Sequence, residues 1–511
     1  MSTDVQLVIP MTGVGQRFIN SGFQKLKPLI NTEIGTMIEN VLQGFQSVRS
    51  PLCIISETAR DKGDLISEIR RVRPYARIVE ISPHKKGPSY AIWTAREHIN
   101  PVTPVIVSYC DFSGIWSEGD FLKEIYLSDG LIQTYTGFHP HMIRSSQFAY
   151  VKKNTREEVI DIQEKEAYTS DPMTEEASSG IYGFRSGQLL IDAINFQIQN
   201  EISLNGEFYT SLTYKSLISR NKKIRTILMD RFFQWGTPED LKDFIFWIRL
   251  SRGVLTSTLG TKKASAIILA AGRGSRVVAV AQEEKPFINV FGKPMWSYTA
   301  SLFQDCDEKI FFTTEKNVEK FTQNDTLGFK CVVSPIETGS QAESALLALQ
   351  SVQKQDSLVH ILACDNLLLG EELTKLESML ADFDVIAWVT CDYAPSIYQK
   401  NQYSWVKVTS DGKISKLSVK DADPHSSDRL LIGNFSFCSA AIAKELIDEM
   451  LKNKFNSNQE AYLEWVIDIA LKSGHRVGTI EVRDFWAIGT TSEYKTLQYW
   501  SEIVSKGTVK R

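Results

Sequence analysis

One pattern is written twice in this chain, about 255 residues apart, and that repetition restricts the folds open to it. VQLVIPMTGVGQRF and then LKPLINTEIGTMIENVL open the sequence, while ASAIILAAGRGSR and then EKPFINVFGKPMWSYTA open its second half. Gly13, Gly15 and Arg17 stand 259 residues before Gly272, Gly274 and Arg276, and Lys27-Pro28 stands 258 before Lys285-Pro286. Downstream, VIVSYCDFSG with Asp111 answers VHILACDNLL with Asp365. SSGIYGF around Gly180 answers LIGNFSF around Gly433, and FFQWGTPEDL around Gly236 answers FWAIGTTSEY around Gly489. The offset drifts only from 259 to 253. Landmarks kept in one order at a domain-sized spacing imply two copies of one fold.

A length of 511 residues suits two cores of about 250 residues each better than one. FIFWIRLSRG closes the first copy with a helix-like apolar segment, and KKASAIILAA restarts the strand pattern. The expected domains are therefore residues 1–252 and 262–511, joined by a short linker near Arg252 to Lys262.

Composition narrows the function classes. A formal charge of -4 without a long basic block argues against a nucleic-acid or anionic-membrane surface. No run approaches the roughly 20 apolar residues that span a bilayer. MSTDVQLVIP lacks the basic lead and apolar stretch of a secretory signal. The cysteines at 53, 110, 306, 331, 364, 391 and 438 form no CxxC pair and fall mostly in apolar, strand-like surroundings. That pattern suits buried thiols in a reducing cytoplasm. The seven histidines show no metal-ligand spacing.

Each copy opens with an unalternating apolar run, VQLVIPM or ASAIILAA, as expected of a strand buried on both faces of a parallel sheet. PLCIIS, ARIVEIS and PVIVSYC repeat the theme, as do KIFFTT, KCVVSP and LVHILAC. Helical periodicity separates them, as in PSYAIWTAREHI and QAESALLALQSV. The alternation predicts a doubly wound α/β domain in each half. Later, YSWVKVTSDGKISKLSVK carries a hairpin signal at Asp411-Gly412, and FAYVKKNTREEVIDIQEKE has the same rhythm.

The motifs favour phosphate chemistry. A glycine turn after the first strand brings backbone N–H groups close to phosphates. Neither GxxxxGK[ST] nor a full GxGxxG is present, so Gly13 and Gly15, with Gly272 and Gly274, form a different kind of loop. Arg17 and Arg276 beside these loops suit charge stabilisation on a triphosphate, or else are solvated surface residues. Lys27 and Lys285 lie in apolar segments, where a phosphate-contacting cation competes with a snorkelling loop lysine. Asp111 and Asp365 end apolar strands, where a Mg2+ ligand competes with a capping carboxylate. Nucleotidyl transfer needs positioning and charge neutralisation, and a phosphate monoester attacks without a general base.

Both halves resemble the sugar-phosphate nucleotidyltransferase superfamily, on LVIPMTGVGQRFINSGFQKLKPLI and AIILAAGRGSRVVAVAQEEKPFINVFGKPM. The resemblance implies two tandem GT-A-like (Rossmann-like) domains with mixed, mostly parallel central sheets. It implies Mg2+-dependent transfer of a nucleotidyl group from an NTP to a sugar 1-phosphate or similar phosphorylated sugar or polyol, releasing pyrophosphate. The combination of GPSYAIWTA, NGEFYTSLTYKSLI and FFQWGTPEDL resembles enzymes encoded with capsule and surface-polysaccharide genes. By the same resemblance, Lys27 and Lys285 are the signature lysines and Asp111 and Asp365 the first magnesium aspartates. Gly87 and Gly339 pass backbone near base or ribose. Glu164 and Lys165 are the sugar-site pair, answered in LSVKD by Lys420 without a glutamate, and Gly180 and Gly433 pass the sugar.

Two departures bear on the chemistry. Gln234 and Ala487 stand where many family members place a second magnesium aspartate; either a neighbouring group substitutes, with Asp230 and Asp484 as candidates, or each site holds its ion differently. HKKG and IETG lack the glutamine that often reads uracil or thymine, so the base stays open. The expected protein is a cytoplasmic transferase with one or two working sites, without nucleic acid or membrane insertion, and compatible with a homo-oligomer. The competing expectation is that one or both domains bind nucleotides without turnover.

Overall fold

Along the first strand, Gln6–Met11 (β1), Leu7, Ile9 and Met11 enter one apolar layer and Val8 enters another on the opposite face. Leu52–Ser56 (β2) does the same, with Cys53 and Ile55 on one side and Leu52 and Ile54 on the other. An unalternating run is thus the signature of burial on both faces. Each fully buried aliphatic side chain contributes about 1.5–3 kcal/mol of transfer free energy. Helices Met37–Gln43 and Lys62–Val72 cover the first layer through Ile38, Leu42, Leu65 and Ile69. Helices Pro88–Thr94 and Gly187–Gln199 cover the second through Ile92, Leu190 and Ile194.

The protein is described by a computed structural model over residues 5–253, 263–272, 274–336, 338–397, 399–420, 424–425, 427–454 and 461–506. It divides into two compact units, Met1–Ile248 and Arg249–Arg511. The expected linker, 252–262, lies outside the described residues from 254 onward.

In the first unit, β1 and β2 are joined by Arg77–Ile81 (β3), Val105–Ser108 (β4), Phe112–Ile115 (β5) and Gly130–Tyr135 (β6). Ala149–Lys153 (β7), Val159–Glu164 (β8), Glu176–Phe184 (β9), Ile224–Leu228 (β10) and Arg231–Gln234 (β11) complete the set. The main sheet runs β3-β2-β1-β4-β9-β6-β10. β9 lies antiparallel to both β4 and β6, and the remaining neighbours on this path are parallel.

The second unit contains Ala264–Ala270 (β12), Asn289–Val290 (β13), Lys293–Pro294 (β14), Glu308–Thr313 (β15), Lys330–Val333 (β16) and Leu358–Ala363 (β17). Asn366–Leu368 (β18), Val385–Thr390 (β19), Trp405–Val408 (β20), Ile414–Ser418 (β21), Arg429–Phe437 (β22), Val477–Glu481 (β23) and Phe485–Ala487 (β24) follow. Its main sheet runs β16-β15-β12-β17-β22-β19-β23, with β22 antiparallel to both neighbours. Strand for strand, this is the order and polarity of the first unit. Each is a mixed, mostly parallel α/β sheet.

The hairpins also correspond. β7 pairs with β8 and β9, and β20 with β21 and β22. Gly412 takes φ +81 in the turn that Asp411-Gly412 marks. All seven cysteines are free.

Candidate active site

Gly15 sits at the N-terminus of helix Gln16–Asn20 with φ +69, and its carbonyl accepts from the N–H groups of Phe18 and Ile19. A Cβ there would lie 3.2 Å from Lys27 Cβ, so the glycine gives both the left-handed turn and room for the lysine. Gly274 repeats this at φ +57, with a Cβ falling 3.0 Å from Lys285 Cβ. A Cβ at Gly13 or Gly272 would meet no atom within 4 Å, which leaves that side of each turn open to approach.

The lysines and aspartates converge. A short 3-10 helix, Lys27–Leu29, sends Lys27 Nζ to Asp111 Oδ2 at 2.7 Å and to the Gly236 carbonyl at 3.1 Å, and also places it 5.1 Å from the Phe18 ring centre. In the second unit the helix Lys285–Phe287 sends Lys285 Nζ to within 2.6 Å of Asp365 Oδ2. Burial alone would lower the Lys285 pKa, yet Asp365, Cys364 and Glu493 together hold it above its ordinary value. The thiols preceding the aspartates, Cys110 and Cys364, are pushed up to about 12 by burial and by the adjacent carboxylate, so they stay protonated at neutral pH.

Each aspartate is fixed from behind by a late strand. β11 pairs antiparallel with β5, and Trp235 N–H donates to the Asp111 carbonyl at 3.0 Å. β24 pairs likewise with β18, and Ile488 N–H donates to the Asp365 carbonyl at 3.0 Å. This register sets Gln234 opposite Phe112 and Ala487 opposite Asn366. A Cβ on Gly236 would lie 2.9 Å from the Gln234 amide nitrogen and 3.5 Å from Asp111 Oδ2, so amide and carboxylate flank one point. Asp230 and Asp484 precede the opposite ends of these strands, where Arg231 faces Ile115 and Phe485 faces Leu368. Strand geometry therefore carries both away from the aspartates.

On the other flank of the first unit, Glu164 ends β8 and accepts from Ser211 Oγ. Burial raises the Glu164 pKa, opposed by Ser211 and by Lys165. Lys165, at φ +62, donates to Tyr209 Oη at 2.7 Å and lies 4.6 Å from that ring centre. Tyr209 in turn donates to Glu207 at 2.7 Å, and the charge of exposed Arg17 acts on its hydroxyl. Gly180 takes φ +95 above Tyr109 and Phe112. Gly87, at φ +83, is locked beneath Phe208, whose N–H donates to the Lys86 carbonyl at 2.9 Å and whose carbonyl accepts from Ser89 N–H at 3.0 Å.

The second unit shares part of this flank. Lys420, at φ +52, donates to the Gln402 carbonyl and lies 4.9 Å from the Tyr462 ring centre. Gly433 takes φ +77. Gly339 does not repeat Gly87: Ser340 is the residue that caps the following helix, accepting from Glu343 N–H, while Gly339 N–H donates to Glu343 Oε2. Arg276 belongs to helix Ser275–Ala281, but its side chain lies outside the described residues.

Tyr209 and Tyr462 escaped the sequence reading. Extending the repeat through GEFYTSL and QEAYLEW aligns them at an offset of 253, which would have marked both. Each unit thus gathers a glycine turn, a strand-end aspartate paired with a lysine from a short 3-10 helix, and a lysine–tyrosine pair. Open parallel sheets bind ligands at such strand ends, and paired opposite charges there can hold a polyphosphate together with its counter-ion.

Residues 266–402 match the MobA-like NTP transferase domain family. No curated protein matches the chain. Among solved structures, a nucleoside-diphosphate-sugar pyrophosphorylase from Vibrio cholerae RC9 aligns at 19% identity over 47% of this chain and 99% of its own, with TM-score 0.39. A UDP-glucose pyrophosphorylase complexed with UDP-glucose aligns at 15% over 47% and 96%, with TM-score 0.38. HddC from Yersinia pseudotuberculosis aligns at 18% over 47% and 97%, with TM-score 0.35.

Proposed function

We propose, on the premise that this chain carries a MobA-like NTP transferase domain at residues 266–402, that it transfers a nucleotidyl group from an NTP to a sugar 1-phosphate or similar phosphorylated metabolite. Residues 1–252 and 262–511 are read as two copies of one catalytic domain. The observation that carries the reading is the lysine–aspartate pair at the strand ends, made once in each unit at 2.7 and 2.6 Å.

In this reading the acceptor's phosphate oxygen attacks the α-phosphorus. A new phosphorus–oxygen bond forms there as the bond to the bridging oxygen breaks, and pyrophosphate leaves. The monoester is already a nucleophile, so no side chain need remove a proton. The turns at Gly13 and Gly15, and at Gly272 and Gly274, admit the phosphates to backbone N–H groups. Lys27 and Lys285 offset charge on the phosphates, assisted by Arg17 and Arg276. Glu164 and Lys165 orient the acceptor in the first unit and Lys420 in the second, beside Gly180 and Gly433.

The donor set fits Mg2+ arriving on the triphosphate better than a resident ion. Among the described residues no three His, Cys, Asp or Glu side chains are grouped to hold a metal. Asp111 in the first unit, or Asp365 in the second, would give the single protein carboxylate that suffices for phosphate-bound Mg2+, which keeps several waters. When bound, the ion neutralises charge on the phosphate oxygens. Glu493 is no candidate, since its carboxylate already accepts from Gly489, Thr490, Tyr393 and Tyr403. Supply of surface-polysaccharide precursors in the cytoplasm rests on the family resemblance. No described helix is long and apolar enough to cross a membrane.

Ala487 sustains a second reading, in which the second unit binds nucleotide without turnover. A pyrophosphate-release screen separates the two, using wild type, D111A and D365A with Mg2+, each of ATP, GTP, CTP, UTP and dTTP, and a panel of sugar and polyol phosphates. Separate activities lost in the two variants establish two active sites. Loss of all activity in D111A alone leaves the second unit a binding module.

A further inference from the structure

The strand-end glutamate of the first unit has no counterpart in LSVKD, yet the second unit buries a carboxylate across from that position, on a different element. Backbone register establishes the correspondence. Ser89 N–H donates to the Phe208 carbonyl in one unit and Ala342 N–H to the Ala461 carbonyl in the other, which aligns Tyr209 with Tyr462 and Ser211 with Glu464. In the hairpins, Tyr150 pairs with Gln163 and Trp405 with Ser418, which aligns Glu164 with Val419 and Ala149 with Ser404. Lys165 and Lys420, the next residues, both take positive φ and both lie against the aligned tyrosines. The first unit therefore has a hairpin carboxylate, Glu164, facing Ser211. The second has Val419 on the hairpin and places its carboxylate, Glu464, where the first has that serine.

Glu464 lies in the short 3-10 helix Leu463–Trp465 and is 7% exposed. Its Oε1 accepts from Ser404 Oγ at 3.4 Å, and its Oε2 has no hydrogen-bond partner among the described residues. A buried carboxylate oxygen without a donor is costly, and a ligand hydroxyl relieves that cost. The surroundings differ as well. A Cβ placed on Gly180 would lie 3.2 Å from the Tyr109 ring, whereas one placed on Gly433 would lie 4.0 Å from Ala363, the equivalent residue. Tyr182 is likewise replaced by Phe435.

We propose that Glu464 binds the acceptor in the second unit, its free oxygen accepting a hydroxyl of a phosphorylated sugar or polyol, and that this unit takes a different acceptor from the first. The assignment rests on the transferase reading above. It deepens that reading by naming a specificity residue supplied from the helix side of the site rather than from the hairpin.

The test uses the full chain carrying D111A, which silences the first unit. The probes are glucose 1-phosphate, mannose 1-phosphate, N-acetylglucosamine 1-phosphate, glycerol 3-phosphate and ribitol 5-phosphate, each with ATP, GTP, CTP, UTP or dTTP. E464Q is expected to raise the acceptor KM about tenfold or more with the nucleotide KM and Tm unchanged. V419E combined with E464S, which moves the carboxylate back to the first unit's position, is expected to shift acceptor preference towards that of the first unit. An unchanged acceptor KM in E464Q, with release still abolished by D365A, overturns the inference and leaves the transferase reading standing. Equal rises in both KM values also overturn it, by marking a structural role. Release that survives D365A strikes at the transferase reading itself, whereas no release from any pair in the D111A chain overturns the inference and leaves the second unit a binding module.

Discussion

Lys285 Nζ lies 2.6 Å from Asp365 Oδ2 in a half-buried strand-end position, the same pair that Lys27 and Asp111 form at 2.7 Å. Removing one partner leaves the other charge without compensation. D365A is expected to cost about 1–3 kcal/mol of stability and to reduce pyrophosphate release from its own unit at least about a hundredfold. D111A, whose carboxylate is more exposed, is expected to show the same loss of turnover with a smaller fall in Tm. Thermal melts alongside release assays check both.

K27A and K285A test the cation separately. Loss of one preorganised donor to developing phosphate charge is expected to raise the transfer barrier by roughly 3–4 kcal/mol, with substrate affinities changing less than turnover. Wild-type rates in both variants would remove the lysines from the mechanism.

The glycines divide into those with geometric work and those without. G87A is expected to destabilise by about 1–2 kcal/mol, because the residue has φ +83 and a Cβ would sit 2.7 Å from Phe208 N and 2.9 Å from its carbonyl oxygen. G339A is expected to be nearly neutral, since the nearest atom is the Glu343 carboxylate oxygen at 3.4 Å. Urea titration of the two variants gives the comparison.

Asp240 gives the first unit a pH signature. It accepts from Thr237 Oγ1 at 2.8 Å through Oδ2, while its buried Oδ1 has no partner among the described residues. Burial raises its pKa from 3.8 to about 7, with Asp243 and Glu239 adding to the rise and Thr237 and Arg144 opposing it. The folded state thus holds the proton more tightly than the unfolded chain. Asp240 costs nothing below about pH 4, and stability falls progressively as pH rises towards 7. D240N is expected to flatten that slope by one to a few kcal/mol on the order set by the shift. Equal pH dependence in wild type and variant would refute the assignment.

Much of the fold was readable because burial on both faces leaves a continuous apolar run, as in VQLVIP and ASAIILA, and because those runs recur in one order. Lys27, Asp111, Lys285 and Asp365 were each conspicuous as charges set in apolar segments. Their pairing was not, since partners 84 residues apart in the first unit meet only when β1 and β4 lie side by side. Gly339 shows the limit of aligning by residue type. Hydrogen-bond register places Ser340 in the position of Gly87, and a serine side chain there caps the helix that Gly87 starts by backbone alone.

By itself the sequence determined the repeat, the two α/β sheets and the charged residues at their strand ends, because these follow from local periodicity and order. Only the tertiary structure decided which groups meet. Asp230 and Asp484 are set at the far ends of their strands from Asp111 and Asp365, Tyr209 and Tyr462 are brought against lysines, and Glu464 places a carboxylate on another element than the hairpin. The physical reason is that a site needs a charge at a point in space, and the chain can deliver it from any segment that the fold carries there.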